Sequence, residues 1–183
     1  MNKELSKRLI SSIVLIPIVF LLIVAGSYYF IFLISLTFLL SVYEWNLMIK
    51  NSVYNVFGII FLFFSYLSIF LIRNNFGDDG LYYFLFIIII CIFTDLGGYI
   101  FGKLLKGPKL TKISPNKTYS GVVGGFVLSI SFSILFFNYS NAADPGEKSI
   151  DIYFLLIILL ISGISQIGDI VISYFKRLAK IKD

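Results

Sequence analysis

Two carboxylates interrupt otherwise charge-free apolar runs in this sequence. Asp95 lies eight residues before Lys103, and Asp169 seven before Lys176. An ionised carboxylate at the centre of a membrane helix costs about 2.5–3.5 kcal/mol on insertion scales, so it needs a partner or a task. At 1.5 Å per helical residue they sit roughly 12 and 10 Å from those lysines, which puts both at a similar depth. A third polar element is the loop 103–118, with five lysines and no acid. Within it Ser114-Pro115-Asn116-Lys117-Thr118 reads as a turn feeding a helix start. Free N–H groups and hydroxyls there can cradle an anion, and the lysine adds a point charge. A fourth is a stripe: Ser162, Ser165/Gln166, Asp169, Ser173, Lys176 and Lys180 recur at spacings of three and four, on one helix face. The opposite face is Ile, Leu, Val and Phe, so the stripe must turn toward protein or water rather than lipid.

The elements that must carry these residues are membrane helices. Of 183 residues, 58% are hydrophobic and only 14% charged, against about half and a quarter in soluble domains. That hydrophobicity excludes intrinsic disorder. One Cys excludes a disulfide framework, and the absence of His excludes a His-based metal site, triad or proton shuttle. A spanning helix needs roughly 20 apolar residues. Six runs qualify: about 10–25, 28–47, the stretch between Lys50 and Arg73, 81–102, 118–143 and 152–175. The first resembles a signal peptide ending at Ala25-Gly26-Ser27, but five further spans favour a retained helix. The expected fold is an all-α polytopic integral membrane protein. Residues 1–80 supply helices 1–3, and 81–183 supply helices 4–6 with the basic loop 103–118 and the tail 173–183.

Lys and Arg stay on the cytoplasmic side in short loops. With the N-terminus inside, only Arg73 and Lys148 of the 15 Lys and Arg fall outside. Both termini are therefore expected in the cytoplasm, and both carboxylates in the cytoplasmic leaflet. Gly98-x-x-x-Gly102 and Gly121-x-x-x-Gly125 read as close-packing faces between helices. Gly121-Val-Val-Gly-Gly is no phosphate loop, because no strand precedes it and no Walker lysine follows. A transporter would need acidic residues in the outer halves of the spans, where the sequence has none. A non-catalytic assembly subunit using the glycine faces is another alternative.

Two segments resemble the phosphatidate cytidylyltransferase (CDP-diacylglycerol synthase) family. That family's closing pattern reads Ser-x-Phe-Lys-Arg, four residues, then Lys-Asp. Here it stands as Ser173-Tyr-Phe-Lys-Arg177-Leu-Ala-Lys-Ile-Lys182-Asp183, preceded by Gly168-Asp169. The second segment is Asp95-Leu-Gly-Gly-Tyr99-Ile-Phe-Gly102-Lys103, followed by Lys112-Ile-Ser-Pro-Asn-Lys117-Thr-Tyr-Ser-Gly121. The resemblance implies transfer of a cytidylyl group from CTP to phosphatidic acid, giving CDP-diacylglycerol and pyrophosphate with Mg²⁺ and room for a second cation. A CTP-dependent lipid kinase is a chemical neighbour that the tail pattern disfavours.

The resemblance also implies roles. Asp169 is the metal-binding and catalytic carboxylate, and Asp183 a second catalytic one. Lys112, Ser114, Lys117, Thr118, Ser173, Lys176, Arg177 and Lys182 bind substrate, and Asp95 supports the pocket. Mg²⁺ takes oxygen ligands, so the lack of His is no objection. The implied setting is the inner cell membrane with the site facing the cytoplasm, in a homodimer, with the lipid bilayer and no nucleic acid as partners. The family continues past Lys-Asp into a His-Gly-Gly and Asp-Arg-x-Asp segment, which this sequence does not contain. The expectation is a truncated or split version, inactive or nearly so alone, or an inactive remnant.

Overall fold

The structure, a computed structural model, describes residues 3–49, 52–75, 77–111, 114, 117–143 and 150–179. Six α-helices follow one another: α1 (Lys3–Ala25), α2 (Ser27–Met48), α3 (Ser52–Asn75), α4 (Gly80–Leu105), α5 (Tyr119–Ala143) and α6 (Ile152–Leu178). Among the described residues the only strand-like feature is an isolated antiparallel bridge, Lys109 to Thr118. Five helices, α2 to α6, are long and apolar enough to cross a membrane. In α1 the described apolar stretch is the shorter Ser11–Ala25. Large side chains such as Leu15, Phe61 and Ile164 are 60%, 69% and 67% exposed. Apolar exposure on this scale suits a lipid solvent. This is an all-α polytopic membrane protein.

The chain divides into two compact units, Met1–Tyr82 and Tyr83–Asp183. In the first, Gly26 takes a φ of +65° to turn α1 into α2, a conformation open to a residue without Cβ. The α2–α3 seam is aromatic: Phe38 meets Tyr66 at 5.4 Å between centroids, and the Tyr66 hydroxyl lies 3.3 Å from Ser35 Oγ. At its other end the Trp45 indole packs onto Gly58 and donates to the Asn55 carbonyl at 3.3 Å.

In the second unit the core is Phe86, Ile90 and Ile158, packed by Ile130, Phe136, Phe154 and Ile161. Asp151 caps α6, accepting from Phe154 N at 2.9 Å. Lys176 and Arg177 lie in the last turn of α6, where cations meet the negative end of the helix dipole. Between lipid-soluble helices there is no hydrophobic driving force, so close backbone approach supplies the adhesion. The expected glycine faces do this. A Cβ on Gly121 would stand 2.7 Å from Gly98 O, and one on Gly125 would stand 2.9 Å from Thr94 O. Gly97 and Gly124, outside the spaced pattern, are the tightest: a Cβ on Gly97 would strike Gly124 backbone, and one on Gly124 the Phe101 side chain.

Gly97→Val should therefore force α4 and α5 apart, lowering stability by about 1–3 kcal/mol. Gly168→Ala is the matched control, since nothing stands within 4 Å of its added Cβ. Thermal unfolding of the detergent-solubilised protein reads the difference. Equal midpoints would count against the tight crossing.

Candidate functional site

The loop after α4 is closed by its own hydrogen bonds. Leu110 N donates to Lys117 O at 2.8 Å, and Tyr119 N to Pro108 O at 3.1 Å, around the Lys109–Thr118 bridge. Lys117 N donates to Ser114 O at 3.1 Å, and Ser114 N to Thr111 Oγ1 at 3.1 Å. These bonds fix the Lys117 backbone at the threshold of α5. Thr118 caps that helix, its Oγ1 accepting from Gly121 N at 3.1 Å, the geometry that satisfies an otherwise unpaired first-turn donor. Gly102 lets the capping hydroxyl lie against α4, where a Cβ would be 3.1 Å from Thr118 Oγ1.

From this anchored backbone the Lys117 side chain crosses to α6. Its Nζ donates to Asp169 Oδ2 at 2.9 Å and to the Gln166 carbonyl at 3.0 Å. Gln166 and Asp169 are three residues apart, so one ammonium spans two acceptors on the same helix face. The side chains are 24% exposed for Lys117 and 54% for Asp169, so the pair does not seal the carboxylate. Gln166 Nε2 reaches Val122 O at 3.5 Å, passing over Gly125. Below it Thr94 Oγ1, fully buried, lies 2.8 Å from Ser162 Oγ and donates to Ile90 O at 2.7 Å.

These contacts enclose a cavity of about 270 Å³. Thr94, Asp95, Gly98 and Tyr99 line it from α4, and Ser114, Lys117 and Thr118 from the loop. Gly121 and Val122 of α5 and Gln166 and Asp169 of α6 complete it. Every lining residue belongs to the second unit.

Of the residues singled out in the sequence, Asp95, Ser114, Lys117, Thr118 and Asp169 come together on this cavity. Ser173 stands a turn further along α6, its Oγ donating back to Asp169 O at 2.7 Å. Lys176 and Arg177 lie in the last turn of α6, and neither is among the lining residues. Lys112, Lys182 and Asp183 lie outside the described residues. Thr94, Val122 and Tyr99 were not expected as lining residues. Tyr99 is held by Lys103, which donates to its hydroxyl at 3.3 Å and lies 5.5 Å from the ring centroid.

Among the described residues no group of three or more His, Cys, Asp or Glu side chains could hold a metal ion. The cavity does offer two carboxylates, Asp95 and Asp169, with Ser114 and Thr118 beside them. Such hard oxygen donors fit a cation that keeps several waters and takes its remaining ligands from phosphates. Chemically the cavity can take an anion on Lys117 and a cation on the carboxylates.

Residues 50–183 match the model of the cytidylyltransferase family. The chain is 38% identical over 108 residues to the phosphatidate cytidylyltransferase of Staphylococcus haemolyticus (strain JCSC1435), covering 58% of this chain and 39% of that protein. It is 36% identical over 129 residues to the phosphatidate cytidylyltransferase of Brucella suis biovar 1 (strain 1330), covering 69% and 44%. Against the phosphatidate cytidylyltransferase of Bacillus subtilis (strain 168) the figures are 33% over 156 residues, 82% and 56%. The chain thus spans roughly two fifths to just over half the length of these curated relatives. No solved structure is significantly similar to it.

The cap at Thr118 makes a local test. Thr118→Ala should cost about 1 kcal/mol by freeing the Gly121 N–H, whereas Thr118→Ser should keep the bond. Amide hydrogen exchange at the start of α5 should quicken in the first variant and stay near wild type in the second.

Proposed function

This chain belongs to the cytidylyltransferase family, and on that premise we propose that it transfers the cytidylyl group of CTP to phosphatidic acid. The observation that carries this reading is the single cavity on which Asp95, Lys117 and Asp169 converge. The motif segments that resemble the family's, far apart in sequence, supply an anion-binding lysine and two cation-binding carboxylates to one space. A nucleoside triphosphate with its metal needs that combination.

A phosphate oxygen of phosphatidic acid attacks the α-phosphorus of CTP. A new P–O bond forms, the α–β bridging P–O bond breaks, and pyrophosphate leaves. The nucleophile is already anionic, so no side chain has to remove a proton. Lys117 offsets phosphate charge in substrate and transition state. Thr118 and Ser114 offer hydroxyls to phosphate oxygens beside the start of α5. Asp169, supported by Asp95, would hold Mg²⁺, which when bound neutralises part of the polyphosphate charge. Ser173, Lys176 and Arg177, with Lys112, Lys182 and Asp183, complete the substrate-binding and catalytic set that the resemblance implies.

The asymmetry of Lys and Arg supports a cell-membrane orientation with both termini and the loop 103–118 in the cytoplasm. CTP then arrives from the cytosol and the lipid enters sideways from the cytoplasmic leaflet. A homodimer belongs to the same proposal.

The chain would be reconstituted in phosphatidate-containing vesicles, alone and joined to the C-terminal portion of the Bacillus subtilis relative. CTP-dependent CDP-diacylglycerol should form in the joined version, with little or none from the chain alone, and Asp169→Asn in the joined version should lower it by about 10²-fold or more. Absence of turnover in both versions would overturn the assignment. Orientation is checked separately with Ser114→Cys in a Cys91→Ser background. An impermeant maleimide should label it in inverted vesicles and leave it unlabelled in right-side-out ones.

A further inference from the structure

The Lys117–Asp169 pair carries a consequence for how ligands enter. Asp169 is the carboxylate assigned to the cation, yet its Oδ2 is occupied by the Lys117 ammonium at 2.9 Å. The same Nζ is held by the Gln166 carbonyl at 3.0 Å, so the ammonium rests in a two-acceptor seat on α6. A divalent cation approaching Asp169 meets a positive charge already in place, which opposes its entry. The lysine can leave this seat for a competing anion. Its backbone is fixed by the bonds to Leu110 N and Ser114 O, but its four-carbon stem is flexible and its ammonium is a mobile point charge. A phosphate group in the cavity is such an anion, and it would draw the ammonium away as it uncovers the carboxylate.

We propose that Lys117 is a place-holder for the cation at Asp169, so that divalent metal and nucleotide polyphosphate enter the cavity only together. This rests on the metal reading of Asp169 given above and adds its regulation. Lys117 is then a positioning residue for the metal as well as a phosphate ligand. By linkage, the metal tightens nucleotide binding by the same factor as nucleotide tightens metal binding. A bare divalent ion is kept out of a half-exposed membrane carboxylate, and Asp169 is never left unpaired in an apolar span.

The test is binding of Mn²⁺ to the detergent-solubilised protein, followed by the loss of the free-ion electron paramagnetic resonance signal, with no turnover required. Wild type should bind Mn²⁺ alone weakly. Lys117→Met should bind it roughly tenfold more tightly, a change of about 1.4 kcal/mol. Lys117→Arg, which keeps the cation, should behave as wild type, and Asp169→Asn should bind no ion at this site. With the unreactive α,β-methylene analogue of CTP present, wild type should take up metal and nucleotide with mutual enhancement. That enhancement should shrink in Lys117→Met. If Lys117 merely straps the loop to α6, its removal will loosen the site, and Mn²⁺ affinity will fall or stay unchanged, which overturns the proposal. If Asp169→Asn binds Mn²⁺ as wild type does, the metal assignment itself fails, and the place-holder role falls with it.

Discussion

A carboxylate in the apolar span of a membrane helix has to be matched by a partner, and here the partner comes from outside that helix. Lys117 reaches Asp169 from a loop fifty-two residues earlier in the chain. For that reach to be reproducible the loop must be closed, and it is, through the Lys109–Thr118 bridge and the bonds at Leu110 and Tyr119. For the ammonium to arrive at the right turn of α6, α5 must begin beside it, which the Thr118 cap secures. The loop closure and the start of α5 thus set the charge pair together. Its 2.9 Å contact leaves Asp169 half exposed, so it stabilises the carboxylate without closing the cavity.

The cavity also depends on backbones that approach closely. Glycines at 97, 98, 121, 124 and 125 let α4 and α5 touch, which brings Asp95 of α4 to the same space as Asp169 of α6. The buried Thr94–Ser162 hydroxyl bond ties α4 to α6 beneath the cavity floor, and stacked Phe93 and Phe132, 3.6 Å between centroids, add to the α4–α5 seam. A membrane protein cannot rely on hydrophobic collapse between helices. The site therefore draws on glycines and hydroxyl side chains of α4, α5 and the loop, and much aromatic and aliphatic surface is left to lipid.

Charge and periodicity made much of this legible in the sequence. Counting residues from Asp95 and Asp169 to the next lysines set them at a similar depth, and both residues line one cavity. The three-and-four spacing of Ser162, Gln166 and Asp169 marked the α6 face that turns inward. The same spacing could not say where the cavity ends, because Ser173 and Lys176 continue the stripe beyond it. Gly97 and Gly124 escaped notice because a pattern of glycines four apart skips them, although the helix crossing is tightest there. The loop closure was not legible at all: a single bridge between Lys109 and Thr118 has no period. Thr94 was hidden in an apolar run, since a threonine back-bonded to Ile90 O offers no outward polar signal.

The account stands on Lys117 and Asp169 acting as one unit in nucleotide binding, and a double-mutant cycle across them measures that directly. CTP affinity in the presence of Mg²⁺ would be determined for wild type, Lys117→Met, Asp169→Asn and the double variant in reconstituted membranes. Residues sharing one site show coupling of about 0.5–3 kcal/mol. The account predicts that the double variant loses less affinity than the sum of the single losses by an amount in that range. Strict additivity, with each residue contributing independently of the other, would contradict it.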